Sequence, residues 1–99
     1  MRNYEIMLIF DASLEEDAIV KELNKVTSII EKGQGSIIDS QRWGVRKLAY
    51  PIKHQDNGYY HLINFSSTEL VVNEIDRVNK INDKLLRYLI VKEEKKSKE

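Results

Sequence analysis

Residues 4–10 read YEIMLIF, and this short stretch sets the first strand from which the rest of the fold is built. Every second residue from Tyr4 to Phe10 is aromatic or aliphatic, which is the alternation of a β-strand with one side against a core. The residues between them include Met7 and Ile9, so the second side of the strand is largely apolar as well. We therefore expect a strand with one side covered by other elements and with a partly apolar second side.

The next segment has the pattern of an amphipathic helix over residues 14–32. Ser13 and Glu16 form a capping-box signature, because each side chain can accept a hydrogen bond from a free amide near the first turn. Gly33 is expected to end the helix in the left-handed conformation. The predicted buried stripe comprises Ile19, Leu23, Val26 and Ile30, widened by Ile29, and the predicted water-facing charges are Glu15, Asp17, Glu22, Lys25 and Lys32.

The centre of the chain reads as a pair of strands. A long strand is expected over residues 35–52, where Gly44 indicates a bulge or bend and Pro51 favours an edge strand or a strand end. Residues 56–58, Asp-Asn-Gly, predict the turn of a hairpin, and residues 59–65 predict its second strand.

The last third of the chain contains a second helix, a final strand and a tail. The helix is predicted over residues 69–82, capped by Ser67 or Thr68, with a buried stripe of Leu70 or Val71, Ile75, Val78 and Ile81. A strand is predicted over residues 85–92. Residues 93–99 contain no apolar side chain, so we expect this tail to be disordered in isolation.

The element order β-α-β-β-α-β is that of the ferredoxin-like fold, an α+β architecture. Right-handed crossovers place both helices on one face of a four-stranded antiparallel sheet and leave the other face uncovered. Residues 1–92 are expected to form one domain of this kind. Because Met7 and Ile9 point to the uncovered face, a partner docking there is one interpretation and ordinary scattered apolar exposure is the other.

Composition narrows the function classes. The chain has 99 residues, a formal net charge of zero and no cysteine, so disulfides and thiol nucleophiles are excluded. It has neither an apolar run of signal-peptide length at its start nor one long enough to span a bilayer, and we expect an intracellular protein. The charge is uneven along the chain: residues 1–41 hold four cations and eight acids, whereas residues 42–92 hold nine cations and five acids. That polarisation permits an anionic partner despite the neutral total.

The strongest local signal is the stretch from Arg42 to Lys53, which contains four cations, two aromatic residues and no acid. Guanidinium groups suit phosphate, and aromatic rings can stack on unpaired bases. The alternative is an edge strand that uses charges only to prevent aggregation. Phosphate or partner binding is favoured because edge protection does not call for the aromatic residues. The candidates are Arg42, Trp43, Arg46, Lys47, Tyr50 and Lys53.

Three further candidates lie outside that stretch. Arg2 and Tyr4 lie where the first strand begins, although a frayed terminus ahead of a core tyrosine is the simpler interpretation. Arg87 interrupts an apolar strand and points away from Leu86 and Tyr88, which places it on the uncovered face if those two residues pack under the helices. Residues 57–65 match the third-strand pattern of an RNA-recognition motif only at its opening, so we do not expect bases stacked across the central strands as in that module.

No catalytic or metal site is predicted. His54 and His61 have no neighbouring ligand cluster and no readable nucleophile or acid partner. The sequence also has no phosphate-cradling glycine loop or nucleophile elbow. We therefore predict a protein that is not an enzyme and that carries no cofactor or metal.

Four segments together resemble the bacterial small-subunit ribosomal protein S6 family: Tyr4-Glu5, WGVRKLAYPI at residues 43–52, DNGYY at residues 56–60, and LRYLIVK at residues 86–92. The resemblance covers about residues 1–92. It implies a structural protein of the cytoplasmic ribosome that binds the central domain of 16S ribosomal RNA together with ribosomal protein S18 and that is a monomer when isolated. We hypothesise that Arg2, Tyr4, Arg46, Tyr50, Lys53 and Arg87 contribute RNA or partner contacts, with Arg2 and Lys53 the stronger candidates for phosphate contacts.

Two other function classes remain open at this stage. One is a homo-oligomeric regulatory domain of the same fold, in which the uncovered sheet pairs with its own copy. The other is a small acyl-phosphate hydrolase, for which Arg42 or Arg46 would have to lie in a phosphate-binding loop. The extended interpretation of those residues opposes the second class.

Overall fold

The computed structural model describes residues 1–93 and places six elements in the predicted order. They are β1 (Arg2–Asp11), α1 (Glu16–Lys32), β2 (Ser36–Ile52), β3 (Gln55–Ser67), α2 (Glu69–Lys80) and β4 (Leu85–Lys92). All pairings are antiparallel, and the sheet order is β2-β3-β1-β4. The ferredoxin-like prediction is thus confirmed, as is the edge position of β2. The predicted tail at residues 93–99 lies outside the described residues except for Glu93, whose backbone N–H donates to the Asn3 carbonyl at 2.9 Å.

One face of the sheet, here called the covered face, packs under the two helices. In β1 it presents the alternate residues from Tyr4 to Phe10, all buried, as the YEIMLIF pattern predicts. The core residues Ile6, Leu8, Ile63 and Phe65 are 0% exposed. Burying one such side chain contributes about 1.5–3 kcal/mol before ordering costs, so this face supplies most of the stability.

Helix α1 begins two residues later than predicted, and its capping box is wrong. Glu15 is the N-cap residue and makes no side-chain capping bond. Ser13 instead bonds back to Asp11: its backbone N–H and its hydroxyl both donate to Asp11 Oδ1, at 2.9 and 2.7 Å. The aspartate before the helix competes successfully for the serine, because short polar side chains readily form such local turns.

The predicted left-handed cap at Gly33 is also wrong. Gly33 has φ −86°, and the left-handed residue is Gln34 at φ 68°. The reason for glycine at position 33 is space, because a Cβ there would lie well inside van der Waals contact of Val71 Cγ2 on α2. Gly33 therefore lets the end of α1 approach the start of α2.

Glu22 was predicted to face water and is instead buried, at 4% exposure. Its Oε1 accepts a hydrogen bond from Asn82 Nδ2 at 2.7 Å, and its Oε2 lies 3.3 Å from Lys25 Nζ. Those two partners compensate the lost hydration of the carboxylate. The Glu22–Asn82 hydrogen bond also connects α1 to the segment between α2 and β4.

Helix α2 ends at Lys80, and its buried stripe differs from the prediction at the C-terminal end. Of the two residues predicted for the start of the stripe, Val71 is buried and Leu70 is 79% exposed. Ile75 is buried as predicted, but Ile81 is 75% exposed. Asn79 takes the buried position in the last turn. The N-cap is Thr68, which is one of the two predicted residues, although its side chain makes no capping bond.

The hairpin between β2 and β3 turns earlier than predicted. Ile52 pairs with Gln55, so the turn consists of Lys53 and His54, at φ 50° and 66°. Two consecutive left-handed residues are typical of a type I′ turn, which suits the twist of a hairpin. The Asp-Asn-Gly segment at residues 56–58 lies inside β3. Asn57 and Gly58 do not form the turn because they pair with Lys47 and Arg46 of β2, and the register is then irregular between Lys47 and Ile52.

Gly44 produces the predicted bulge. It adopts φ 82°, and the β2–β3 register skips one residue between Arg42 and Gly44. Nothing lies within 4 Å of the position that a Cβ on Gly44 would take, so the backbone conformation alone explains this glycine.

Neither helix in the described part of the chain is long and apolar enough to cross a membrane.

Candidate RNA and partner interface

The face of the sheet away from the helices, here called the open face, is built of parallel rows of side chains across the four strands. The register fixes each row. The acidic row consists of Asp39, Asn64, Glu5 and Val91. The apolar row consists of Gln41, Leu62, Met7 and Leu89. The basic row consists of Gly44, Tyr60, Ile9 and Arg87, with Arg46 the next open-face position on β2.

The acidic and apolar rows form one end of the open face. Both carboxylates of this end, Asp39 and Glu5, flank the half-buried Asn64 on β3. Beside them the edge strand β4 exposes two aliphatic side chains, Leu89 at 60% and Val91 at 43%. This end therefore combines exposed apolar area with negative charge.

The other end of the open face continues into the far part of the β2–β3 hairpin. Residues 47–57 extend beyond the last residue of β1 that pairs with β3, and we call this segment the arm. Leu48 is buried and, with Ile9, flanks Gly58. Tyr50 Oη accepts a hydrogen bond from Arg87 Nη1 at 2.6 Å, which ties the arm to β4.

Lys53 lies at the tip of the arm, beside the start of β4. It lines one depression with Arg87 and Tyr88, among others. The charge of Lys53 also acts on Asp11 at the end of β1. Hydrogen bonds from Ser13 are the main cause that lowers the pKa of Asp11, and the charge of Lys53 lowers it by a smaller amount. The fold thus brings Lys53, Arg87 and Tyr50, which are separated in sequence, into one region.

Trp43 is the bulged residue, and its neighbours show that it lies on the open side. Its Nε1–H donates to Gln41 Oε1 at 3.3 Å, and the Arg46 guanidinium carbon lies 5.4 Å from the centroid of its ring. The indole is nevertheless 41% exposed. The bulge therefore carries Trp43 and Arg46 to the same side, which a regular strand would not do.

Arg42 points the other way, toward the covered face. It pairs with His61 in the register and forms an ion pair with Glu16 of α1. A hydrogen bond with Tyr59 and the charge of Glu16 raise the pKa of Arg42. The structure thus separates Arg42 from Arg46, and Arg42 serves to hold β2 to the first turn of α1.

The remaining predicted residues do not join the basic end of the open face. Lys47 is exposed but alternates with Arg46, so it points to the opposite side of β2. Arg2 lies at the far end of β1, paired with Ser67. Tyr4 is only 6% exposed, and its ring stacks on Phe65 with centroids 5.6 Å apart. Tyr4 acts as a core residue, and we leave it out of the interface.

His61 is the one histidine among the described residues that is buried, and it lies on the covered face. Its Nε2 is 2.7 Å from the Ser40 hydroxyl, and its Nδ1 has no hydrogen-bond partner within the described residues. Burial lowers the pKa of His61, and the charge of Arg42 lowers it further. The ring is therefore neutral near pH 7 and fits a structural position.

The described part of the chain, residues 1–93, contains no cluster of three His, Cys, Asp or Glu side chains that could hold a metal ion. Arg42 and Arg46 both lie within strand β2. A loop-borne phosphate cradle of the kind that a hydrolase would need is thus not formed by these two residues.

Sequence reasoning missed the residues that complete the open face. Leu62, Leu89 and Val91 were not recognised as members of one surface, and Gln41 was not recognised as a support for Trp43. Strand alternation could have placed Leu89 and Val91 on the side of Arg87, since the three residues are spaced two positions apart. The pairing of Gln41 with Leu62 depends on bulges that residue patterns do not specify.

Comparison with known proteins gives a consistent result. Residues 3–92 match the family described as Ribosomal protein S6. The small ribosomal subunit protein bS6 of Clostridium novyi (strain NT) is 42% identical over 95 residues, which is 96% of this chain and 100% of that protein. The bS6 protein of Clostridium perfringens (strain SM101 / Type A) is 43% identical over 94 residues, which is 95% of this chain and 99% of that protein.

A solved structure shows the same similarity. The crystal structure of 30S ribosomal protein S6 from Thermotoga maritima superimposes with a TM-score of 0.87 and 28% identity, covering 93% of this chain and 87% of that one. The matched proteins are structural components of the small ribosomal subunit and not enzymes. Sequence profile, relatives and fold agree, and the chain belongs to the ribosomal protein S6 family of the small ribosomal subunit.

Proposed function

We propose that this protein binds the central domain of 16S ribosomal RNA together with ribosomal protein S18, in the cytoplasmic ribosome. The observation that carries the proposal is the division of the open face. Its acidic and apolar rows lie at one end. Its cations and aromatic side chains lie at the other end, where Asp11, in the row of Arg46, accepts hydrogen bonds from Ser13. A surface divided in this way suits two partners of different chemistry better than one.

The acidic and apolar end is suited to a protein partner. Leu89 and Val91 supply exposed apolar area beside the partly buried Met7 and the buried Leu62. The neighbouring carboxylates favour a basic partner, because complementary charge raises the association rate and suppresses wrong partners. A basic ribosomal protein such as S18 meets both requirements.

The basic end is suited to RNA. Arg46 and Lys53 have no acid within 4 Å among the described residues, so both remain free to neutralise phosphate. Arg46 lies just before the arm and Lys53 lies at its tip. The arm is held by the Tyr50–Arg87 hydrogen bond and by buried Leu48, which lowers the cost of ordering on binding. A near-neutral protein can contribute such contacts when its partner supplies the remaining positive charge.

We further propose that the isolated protein is a monomer. The alternative is a homo-oligomer joined through the open face. In a symmetric dimer whose strands run parallel across the interface, the two acidic rows would face each other and so would the two basic ends. Only an antiparallel arrangement of the two copies avoids these contacts between like charges. Light scattering across a range of protein concentrations separates the two. A constant mass of one chain supports the proposal, and a concentration-dependent dimer supports the alternative.

The binding test uses a central-domain 16S RNA fragment with and without S18. We expect retention of this protein on the RNA when S18 is present, with an affinity that falls as salt rises. Arg46→Gln and Lys53→Gln should each lower the salt-dependence slope by about one, and Lys21→Gln on the exposed surface of α1 is the matched control. Absence of RNA binding in the presence of S18, or unchanged slopes in both variants, would overturn the proposal.

A further inference from the structure

We propose that Trp43 stacks on an unpaired nucleobase, so that the basic end of the open face binds a single-stranded or bulged nucleotide in addition to phosphates. This inference rests on the proposed function and names the ligand class of one part of that surface. It makes Trp43 a residue that selects unpaired over fully paired RNA.

The position of Trp43 is set by the backbone and not by packing. The β2–β3 register skips Trp43 because Gly44 adopts φ 82°, a conformation that other residues adopt only at a cost. No atom would contact a Cβ at Gly44, so the glycine serves the bulge itself. Bulges of this kind re-aim a side chain, and here the side chain that changes direction is the indole.

The indole is both exposed and held in place. Gln41 accepts its Nε1–H bond at 3.3 Å, and Gln41 is itself positioned by donating from Nε2 to Asp39 Oδ2 at 2.8 Å. Arg46 lies against the ring. An aromatic side chain that stays 41% exposed while its polar atom is already satisfied offers ring surface, and little of its freedom remains to be lost on binding.

The surroundings favour a nucleobase over a protein side chain. Arg46 contacts the indole and has no acidic partner within the described residues, so a ligand at this position meets a π surface and a free guanidinium together. A nucleotide carries the matching pair of groups, a flat base and an adjacent phosphate. Apolar docking area for a protein lies instead in the apolar row, which is one row away.

The test uses the fact that Trp43 is the only tryptophan in the chain. The full-length protein is labelled with 5-fluorotryptophan and titrated first with S18 and then with the central-domain 16S RNA fragment, and the single ¹⁹F resonance is followed. We expect little change on adding S18 and a clear shift on adding RNA. A shift that is complete with S18 alone would assign Trp43 to the protein partner and overturn the inference.

Affinity measurements supply the second arm. Trp43→Leu should weaken RNA binding by about 5- to 100-fold, Trp43→Phe should retain most of it, and neither should change the salt slope, because stacking involves no phosphate. Val45→Ala is the control, since Val45 is 59% exposed on the same strand and points to the opposite side. Circular dichroism confirms folding of each variant.

The outcomes are distinguishable from those of the proposed function. If the salt slopes respond to Arg46→Gln and Lys53→Gln while Trp43→Leu binds like the parent protein, the stacking inference is wrong and RNA binding stands. If the parent protein with S18 does not bind the RNA, both are wrong. Weakening by Trp43→Leu together with an equal loss of S18 affinity would also contradict stacking on a base.

Discussion

The two faces of the sheet use the same strands for different purposes. On the covered face β1 presents Ile6 and Leu8, both 0% exposed, and β3 presents Ile63 and Phe65, also 0% exposed. On the open face the intervening residues of β1 are half-buried, and β4 leaves Leu89 60% exposed. Residues adjacent in sequence therefore differ in what they contribute, because successive side chains of a strand point to opposite faces.

This difference shows where stability and binding are separated in the molecule. The covered face is filled by the protein's own helices, so a substitution there is expected to change the free energy of unfolding. The open face has no such cover within the described residues, so a substitution there is expected to change binding and to leave stability nearly intact. Each of the following predictions compares a residue packed against its neighbours with one that is exposed or has open space beside it.

The largest effect is expected from Phe65→Ala compared with Leu89→Ala. Phe65 is fully buried and stacks on Tyr4, so its truncation should lower the free energy of unfolding by about 3–5 kcal/mol. Leu89→Ala should cost less than about 1 kcal/mol, because most of its side chain is already in water. Urea unfolding of both variants measures the two values. Equal losses would show that the open face is part of the core.

An intermediate effect is expected from two glycines. Gly33→Ala inserts a methyl group against Val71 between the helices, and we expect a loss of about 1–3 kcal/mol of stability. Gly44→Ala meets no neighbour and carries only the conformational cost of a left-handed residue, about 1–2 kcal/mol. The variants should also differ in the Trp43 environment: fluorescence of Trp43 should change in Gly44→Ala and stay unchanged in Gly33→Ala.

The smallest effect is a pH dependence that distinguishes the two histidines. Because the folded-state pKa of His61 lies below its ordinary value of 6.5, the unfolded chain takes up a proton first as pH falls. Stability should therefore be constant above about pH 6.5 and decrease between that pH and the lowered folded pKa. Unfolding free energies measured from pH 8 to pH 5 test this, above the range where Asp11, Glu74 and Asp76 titrate.

The control for the histidine prediction is His54, which is exposed at the tip of the arm. His54→Asn should retain the decrease in stability below pH 6.5, and asparagine also tolerates the left-handed backbone at that position. His61→Gln should remove most of the decrease. A decrease that persists in His61→Gln and disappears in His54→Asn would contradict the assignment.

Much of the fold follows from side-chain alternation and helical spacing, and β4 was predicted to the residue as 85–92. The errors occur where a contact with another element overrides a local preference. Residues 56–58 have strong turn propensity, yet the turn formed at Lys53 and His54, because Asn57 and Gly58 pair with Lys47 and Arg46 inside the ladder. Glu22 was assigned to water because a carboxylate seldom has a buried partner, and its partner Asn82 lies 60 positions away.

The candidate interface was predictable in part. Arg87 was expected on the open face and lies there, and the bulge at Gly44 was expected and is present. Which side each cation of the Arg42–Lys53 stretch would take was not predictable, because one bulge reverses the alternation. The structure resolves this stretch into Arg42 on the covered side, Trp43 and Arg46 on the open side, and Lys53 at the tip.

The central claim is that the two ends of the open face have different partners, and calorimetric titration with S18 in the absence of RNA tests it most directly. Leu89→Ala should weaken S18 binding by about fivefold or more, whereas Lys53→Gln should leave S18 affinity unchanged and lower only the salt-dependence slope for RNA, by about one. If Lys53→Gln weakens S18 binding as much as Leu89→Ala does, or if Leu89→Ala has no effect on it, the division of the open face is contradicted.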